Sequence, residues 1–204
     1  AAKEKKSAIF LLSSTFEHVY GEQCLSIGAS HIDTWKNPEL IKKVQADRLN
    51  RSAKVLRSQM DRLDEAVSAY HEVLTRYKEI EDERGLADAY GGMGYVYWFI
   101  NSDSCHHYYL KALECRKKVD DKQLTASTLN GLGSLHYRQL YDLDKALAYY
   151  SDAASIREDF GDWYGVGTTL SVMANVYEDL NLTEKANETF HYSYEINRKS
   201  RNLR

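Results

Sequence analysis

The chain has 204 residues, of which 43% are hydrophobic and 28% charged, and its formal net charge is -3. This composition supplies enough apolar side chains for a packed core, which excludes an intrinsically disordered chain. A chain with this near-neutral charge lacks the basic surface that binds nucleic acids and anionic membranes, so neither is an expected partner.

Few residues in the chain interrupt helices. It has 1 proline and 11 glycines, whereas average usage would give about ten prolines at this length. No apolar run approaches the roughly 18 residues that span a bilayer, so no membrane insertion is expected. The three cysteines, Cys24, Cys105 and Cys115, are an odd number without metal-ligand spacing. They indicate no disulfide framework and favour a reducing compartment, the cytoplasm.

The first predicted element is an atypical N-terminal helical segment, residues 1–38. The stretch from Lys3 to His31 is predicted to form one helix or a divergent helix pair. Asn37-Pro38 marks a break, because a residue before proline is pushed out of helical geometry. The chain begins without methionine and ends where a further unit would start, so we expect it to be a piece of a longer protein.

Residues 39–204 are predicted to form about four helix pairs. The predicted pairs run from Glu39 to Glu79, Leu86 to Val119, Thr125 to Glu158, and Gly165 to Lys199. Their second helices share a small residue at Ala66, Cys105, Ala146 and Ala186, at intervals of 39, 41 and 40 residues. Upstream of three of these residues, Asp64, Asp144 and Thr183 are predicted to cap the helices by accepting hydrogen bonds from first-turn amides.

When the pairs are aligned, residues of the same type recur at equivalent positions, called columns here, and the small residues above form the first. The first helices share a second column: an apolar residue, a small residue, two variable residues and an aromatic ring. It comprises Met93-Gly94-x-x-Tyr97, Leu132-Gly133-x-x-His136 and Met173-Ala174-x-x-Tyr177. A third column, Asp82, Asp121 and Asp162, marks the turns between pairs. Two antiparallel helices that cross closely need a small residue where an aromatic side chain from the partner helix fits. The columns therefore predict tightly crossed helix pairs.

This pattern resembles the tetratricopeptide repeat, although the period of about forty exceeds the usual 34 residues and the closing proline is absent, which implies longer helices. The resemblance implies an all-α, right-handed superhelical solenoid of antiparallel helix pairs that binds a protein or peptide in a concave groove lined by the first helices. Forty-residue variants resemble arrays in signalling regulators, among them bacterial sensor kinases and transcriptional activators, and in protein scaffolds.

Helical spacing predicts which residues of the first helices face the groove. If Gly94, Gly133 and Ala174 face the partner helix, the residues six and three before and one, four and five after them form the opposite stripe. That stripe contains Asp88, Gly91, Tyr95, Trp98, Phe99, Ser127, Asn130, Ser134, Tyr137, Arg138, Thr168, Ser171, Asn175, Glu178 and Asp179. The predicted partner-binding residues are Tyr95, Trp98, Phe99, Asn130, Tyr137, Arg138 and Asn175.

These residues are chosen for the binding chemistry of their side chains. Aromatic residues carry much of the binding energy at interfaces, and asparagine and arginine offer donors to a peptide backbone or carboxylate. Packing between neighbouring units is the alternative interpretation for Trp98 and Phe99. The stripe shows no obvious cluster of lysine and arginine, so a strongly acidic ligand is not favoured.

No pattern in the sequence indicates catalysis, a metal or a cofactor. Cys105, His106 and His107 lack the spacing of metal ligands, and His136 stands in the ring column, which favours a packed core histidine. Gly91-Gly92-Met93-Gly94 lies within a helical pattern, without the strand and the lysine of a phosphate-binding loop. We therefore expect a protein without enzymatic activity.

The predicted function is protein–protein interaction, as the regulatory or sensory part of a larger signalling protein. Two alternatives remain open. The chain is alternatively a helical self-assembly module, in which end units stack between copies. It is otherwise a regulatory domain attached to an unseen catalytic region, such as a kinase or a nucleotide cyclase.

Overall fold

A computed structural model describes residues 38–201. They form eight α-helices: α1 Pro38–Leu56, α2 Leu63–Glu79, α3 Glu83–Tyr97, α4 Ser102–Lys118, α5 Lys122–Arg138, α6 Leu143–Asp159, α7 Trp163–Asp179 and α8 Thr183–Arg201. A 3-10 turn, Met60–Arg62, precedes α2, and the described range contains no strand. The predicted N-terminal helical segment, residues 1–38, lies outside the described residues except for Pro38.

The chain divides into two compact units, residues 1–44 and 45–204. The first unit is described only through residues 38–44, which begin α1. The second unit contains the rest of α1 and the seven helices that follow it.

Successive helices pack against each other as pairs. Contacts are most extensive within the pairs α3–α4, α5–α6 and α7–α8, and each pair also contacts the next through α2–α3, α4–α5 and α6–α7. Turns of a few residues make such neighbours antiparallel. Two helices of 17 residues, as in α5 and α6, together with two short turns account for the period of about forty. The prediction of an all-α helical solenoid with long helices is confirmed.

Rings from the second helices lie against the small residues of the first helices. A Cβ built on Gly94 would lie 2.5 Å from Tyr109 Cδ1, and one built on Gly133 would lie 2.7 Å from Tyr150 Cε1. The small residues of the second helices, Ala66, Cys105, Ala146 and Ala186, are fully buried. The predicted reason for both columns, close helix crossing around a ring, is therefore confirmed.

The helix caps differ from the prediction. Asp64 and Asp144 lie in the first turns of α2 and α6, and Thr183 is the first residue of α8, so none of them is the N-cap. The N-cap of α6 is Asp142, whose side chain accepts a hydrogen bond from the Lys145 amide at 3.1 Å. The prediction was wrong because α6 begins before Asp144. In the first turn of the helix, the Asp144 carboxylate still interacts favourably with the helix dipole.

Four turns share a compact arrangement in which a left-handed residue is followed directly by a capping aspartate. The pairs are Glu81-Asp82, Asp120-Asp121, Tyr141-Asp142 and Gly161-Asp162. The left-handed residue closes the preceding helix, and the aspartate accepts an amide hydrogen bond that starts the next one. The aspartate column of the sequence is thus the set of N-caps for α3, α5 and α7.

Two glycines of α5 provide a test of ring packing. Replacing glycine by alanine inside a helix ordinarily stabilises the folded state by about 1 kcal/mol. At Gly133 the new methyl group would displace Tyr150, so we expect Gly133→Ala to destabilise by about 1–3 kcal/mol. At Gly131 a new Cβ would lie 3.4 Å from the nearest atoms of the Tyr109 ring, so Gly131→Ala should be neutral or stabilising. Urea unfolding measures the change in unfolding free energy of both variants. Equal changes would contradict the packing of Tyr150 against Gly133.

Candidate functional site

The exposed stripe of the first helices, α1, α3, α5 and α7, is here called the groove face. On α3, residues such as Met93 and Val96 are buried, while Tyr95 is 43% exposed and Phe99, just after the helix, is 44% exposed. A spacing of four residues places both rings on one side of the helix. Their centroids lie 5.5 Å apart in an edge-to-face arrangement, which is a favourable geometry for aromatic pairs.

A cation joins this aromatic pair. The guanidinium carbon of Arg57, just after α1, lies 5.2 Å from the centroid of the Tyr95 ring, within the range of a cation–π contact. Beside it, Lys54 of α1 forms an ion pair with Asp88 of α3 at 3.1 Å. Two neighbouring helix pairs thus contribute to one surface. Tyr95, Phe99 and Arg57 are together called the α3 patch.

The other two predicted aromatic residues are less accessible. Trp98 is half-buried, and its carbonyl oxygen accepts a hydrogen bond from Gln139 Nε2 at 2.9 Å. Tyr137 is half-buried and packs against the core cluster that includes Tyr150 and Met173. Burial and a hydrogen bond to Asp179 raise the pKa of Tyr137 to about 12. The Tyr137 ring therefore contributes contacts between helices, and Trp98 links its turn to Gln139 through its backbone.

The predicted polar residues lie further along the groove face. Asn130 of α5 is half-buried, and its Oδ1 accepts a hydrogen bond from Thr169 Oγ1 of α7 at 3.2 Å. Arg138 and Asn175 are exposed, on α5 and α7 respectively. The structure therefore brings Tyr95 and Phe99 into contact, whereas Arg138 and Asn175 lie on different helix pairs.

Basic residues near the α3 patch are a feature that the predicted stripe omitted. The predicted stripe covers α3, α5 and α7 only, and Lys54 and Arg57 approach α3 beside Tyr95 from outside it. In the first pair, Lys54 aligns with Gly94, so the small residue from which the stripe is placed is missing. The predicted stripe therefore does not include α1. Shifting the stripe of α3 back by forty residues places Arg51 and Val55 on α1, and both are exposed.

The glycine-rich segment of α3 accommodates three side chains from neighbouring helices. A Cβ on Gly91 would meet Arg116 of α4, one on Gly92 would meet Tyr70 of α2, and one on Gly94 would meet Tyr109 of α4. Each glycine faces a different direction around the helix, because successive residues are rotated by about 100 degrees. The segment is therefore a packing feature of α3, consistent with its helical assignment in the sequence.

His136 is a buried core histidine, as the sequence predicted. It is 4% exposed, and its ring lies 5.2 Å from that of His106 and 5.4 Å from that of Tyr149, between centroids. Within the described residues, neither ring nitrogen has a hydrogen-bond partner, and Asp142 Oδ2 lies 3.9 Å from Nδ1. Burial, followed by the nearby His106, lowers the pKa of His136.

Two further features limit the chemistry of the described residues. Cys105 is fully buried, and desolvation raises the pKa of its thiol to about 12, which leaves it protonated and unreactive at neutral pH. Among the described side chains, no group of histidine, cysteine, aspartate and glutamate has an arrangement that fits a metal ion.

The buried His136 and the half-buried His106 predict a pH dependence of stability. The pKa values of His136 and His106 are lowered in the folded state, so the stabilisation is complete above the unfolded value of about 6.5 and is lost as the pH falls below it. Tyrosine occupies the position of His136 in α3 and α7, at Tyr97 and Tyr177.

We expect His136→Tyr to lose less unfolding free energy than the wild type between pH 7.5 and pH 5.5, measured by urea titration at each pH. Substitution of the exposed His71 by glutamine is the control and should leave the wild-type dependence unchanged. The same loss of stability in the wild type and in His136→Tyr would show that the buried ring does not cause it.

A family model, described as the tetratricopeptide repeat, matches residues 124–199. The match covers almost all of α5 through α8, the third and fourth helix pairs. Regulatory protein RapK from Bacillus subtilis is 24% identical over 127 residues, which are 62% of this chain and 34% of RapK. The chain therefore spans about a third of the length of that relative.

Two solved structures share the fold. BtubC from P. vanneervenii has a TM-score of 0.69 and 23% identity, covering 79% of this chain and 66% of BtubC. A signal transduction ATPase with numerous domains and a tetratricopeptide repeat sensor, from Pyrococcus horikoshii, has a TM-score of 0.68 and 20% identity. That similarity covers 79% of this chain and 25% of the ATPase. Among the described helices, none is long and apolar enough to cross a membrane.

Proposed function

We propose that this chain, a tetratricopeptide repeat array, is a protein-interaction module that binds a peptide segment of a partner protein on its groove face. The α3 patch is the observation that carries the proposal. Tyr95 and Phe99 expose large apolar rings next to each other, and Arg57 extends the same surface from the neighbouring helix pair. Clustered exposed apolar side chains rimmed by polar groups are typical of interaction surfaces.

The polar residues of the groove face would orient the bound segment. An extended peptide has free backbone N–H and C=O groups, which require partners when it is bound. Arg138 and Asn175 are exposed on α5 and α7, where their side chains can hydrogen-bond to such groups. In this arrangement the α3 patch supplies most of the affinity, and α5 and α7 supply direction.

The role of the module would be regulatory or sensory within a larger signalling protein. One relative in sequence is named a regulatory protein, and one of the structural neighbours carries its tetratricopeptide repeats as a sensor. Binding of a peptide by a helical array is a way to couple a ligand to another part of the same protein, because it favours one arrangement of the helices.

Self-association is a second candidate, favoured by a separate observation on α8. Tyr192 and Tyr194 of this helix are 54% and 62% exposed. Each exposed ring provides an apolar contact for a second copy, and the spacing of two residues turns the two rings to different sides of α8. Sedimentation equilibrium distinguishes this function: a mass that rises with concentration and falls to that of a monomer in Tyr192→Ala/Tyr194→Ala would support it.

The groove-face proposal predicts the effect of removing the two rings of the α3 patch. Peptides that bind the immobilised full chain are first selected from a displayed library of random twelve-residue sequences. We expect Tyr95→Ala/Phe99→Ala to weaken binding of the selected peptides by about thirtyfold, since central aromatic residues contribute about 2 kcal/mol or more. Fluorescence anisotropy measures the dissociation constants.

The matched control is Tyr192→Ala/Tyr194→Ala, which removes two exposed rings from α8. It should bind the peptides as the wild type does, and thermal melting should show that both double variants remain folded. Equal affinity in the wild type and the α3 variant, or an equal loss in both variants, would rule out the α3 patch as the binding surface.

A further inference from the structure

We propose that the groove face contains a subsite for a carboxylate side chain, an aspartate or glutamate of the bound peptide, over Gly91 and between the guanidinium groups of Arg116 and Arg57. The inference rests on the proposed function and specifies the chemistry of the partner. The expectation from the sequence was that a strongly acidic ligand is not favoured, whereas this subsite binds a single carboxylate.

Arg116 of α4 is a buried cation that forms no ion pair within the described part of the chain. It is 9% exposed, and its Nη1 donates hydrogen bonds to the Leu124 carbonyl oxygen at 2.9 Å and to Thr128 Oγ1. Among the described residues, its Nε has no hydrogen-bond partner and no carboxylate forms an ion pair with it. A buried charge is costly unless it is paired, so this guanidinium has capacity for an anion.

The free edge of Arg116 reaches the groove face at Gly91. A Cβ built on Gly91 would lie 2.7 Å from Nη2 of Arg116. Gly91 belongs to the predicted stripe, one helical turn before Tyr95, so Nη2 lies beside the same surface as the α3 patch. A side chain at this position would cover the guanidinium edge, whereas glycine leaves it open.

Arg57 adds a second cation to this site. Burial raises the pKa of the Tyr109 hydroxyl, and both Arg57 and Arg116 oppose that shift, which places both guanidinium groups within electrostatic range of the same hydroxyl. Tyr109 is also in contact with α3 at Gly94. The two cations therefore converge on the segment of α3 between Gly91 and Tyr95.

Two nearby carboxylates, Asp88 and Asp121, oppose the lowering of the Arg116 pKa by burial, but neither forms an ion pair with it, and each has another partner. Asp88 forms its ion pair with Lys54 at 3.1 Å, and Asp121 caps α5 by accepting a hydrogen bond from the Leu124 amide at 3.0 Å. Lys54 uses the charge of Asp88, so Arg57 and Arg116 leave an excess of positive charge. Guanidinium groups bind carboxylates with two parallel hydrogen bonds, which makes a carboxylate the complementary ligand.

The next helix pair contains an arginine with the same hydrogen bonds. Arg157 of α6 donates to the Gly165 carbonyl oxygen at 2.9 Å and to Thr169 Oγ1, as Arg116 does to Leu124 and Thr128. In addition, its Nε lies 3.7 Å from Asp162 Oδ2. Asn130 stands at the position of Gly91 and accepts a hydrogen bond from the same Thr169 hydroxyl. Arg157 thus has an ion pair within the chain, which Arg116 lacks.

The spacing of the subsite and the α3 patch defines the peptide. Gly91 and Tyr95 are about one helical turn, roughly 5–6 Å, apart along α3. In an extended peptide, side chains two residues apart point to the same side and are separated by about 6–7 Å. The expected ligand therefore contains an acidic residue and, two positions away, a large apolar residue that packs on Tyr95 and Phe99.

The test uses the library-selected peptides, resynthesised with amidated C-termini so that only side-chain carboxylates remain. We expect an acidic residue two positions from an apolar one to be enriched, and its replacement by the corresponding amide to weaken binding to the full chain about tenfold or more. In Arg116→Gln, the acid and amide peptides should bind equally. In Arg157→Gln, the matched control, the wild-type preference for the acid should remain.

Gly91→Asn is a second variant that does not remove a buried side chain. It reproduces the arrangement at Asn130, and the only close neighbour of the new Cβ is the flexible end of Arg116. It should also abolish the preference for the acid while the chain stays folded. Retention of that preference in both Arg116→Gln and Gly91→Asn would overturn the subsite.

Different results would contradict the carboxylate subsite and the proposed function. Peptides without acidic residues that still require Tyr95 and Phe99 would overturn the carboxylate subsite and leave the proposed function in place. Peptides that bind equally well without the rings of the α3 patch would contradict the proposed function itself.

Discussion

Within the pairs α3–α4 and α5–α6, a ring from the second helix lies against a glycine of the first, and the arrangement of the chain depends on this close crossing. Tyr109 occupies the space at Gly94, and Tyr150 the space at Gly133. Tyr150 is fully buried, so its ring contributes several kcal/mol of apolar burial. The crossing fixes which side of α3 and α5 faces inward, and it therefore fixes which side chains remain for a partner.

The same glycines connect the packing of α3 to its candidate site. Gly91, Gly92 and Gly94 admit side chains from α4, α2 and α4 respectively, and one of those side chains is the cationic Arg116. A helix with larger residues would keep the two neighbouring helices further away and cover the guanidinium. Arg157, the corresponding arginine of the next helix pair, lies 3.7 Å from Asp162 Oδ2, whereas Arg116 has no ion pair among the described residues.

Much of the fold could be predicted from the sequence, because the period of about forty residues reports helix length and the small-residue columns report helix crossing. The face of α3 carrying Tyr95 and Phe99 followed from helical spacing alone. The caps could not be placed, since Asp142 and Asp144 are both good first-turn residues and only the backbone decides between them. Arg57 and Arg116 were missed because their relation to Tyr95 and Gly91 arises between helices, and no spacing along one helix reveals it.

We propose that binding occurs on the outward side of α3, with α1 and α5 beside it. Amide hydrogen exchange of the full chain, with and without a saturating selected peptide, tests this most directly. We expect slower exchange in α3 and at the turn that contains Phe99, with smaller changes in the adjoining parts of α1 and α5. Protection confined to α4, α6 or α8, with α3 unchanged, would contradict it.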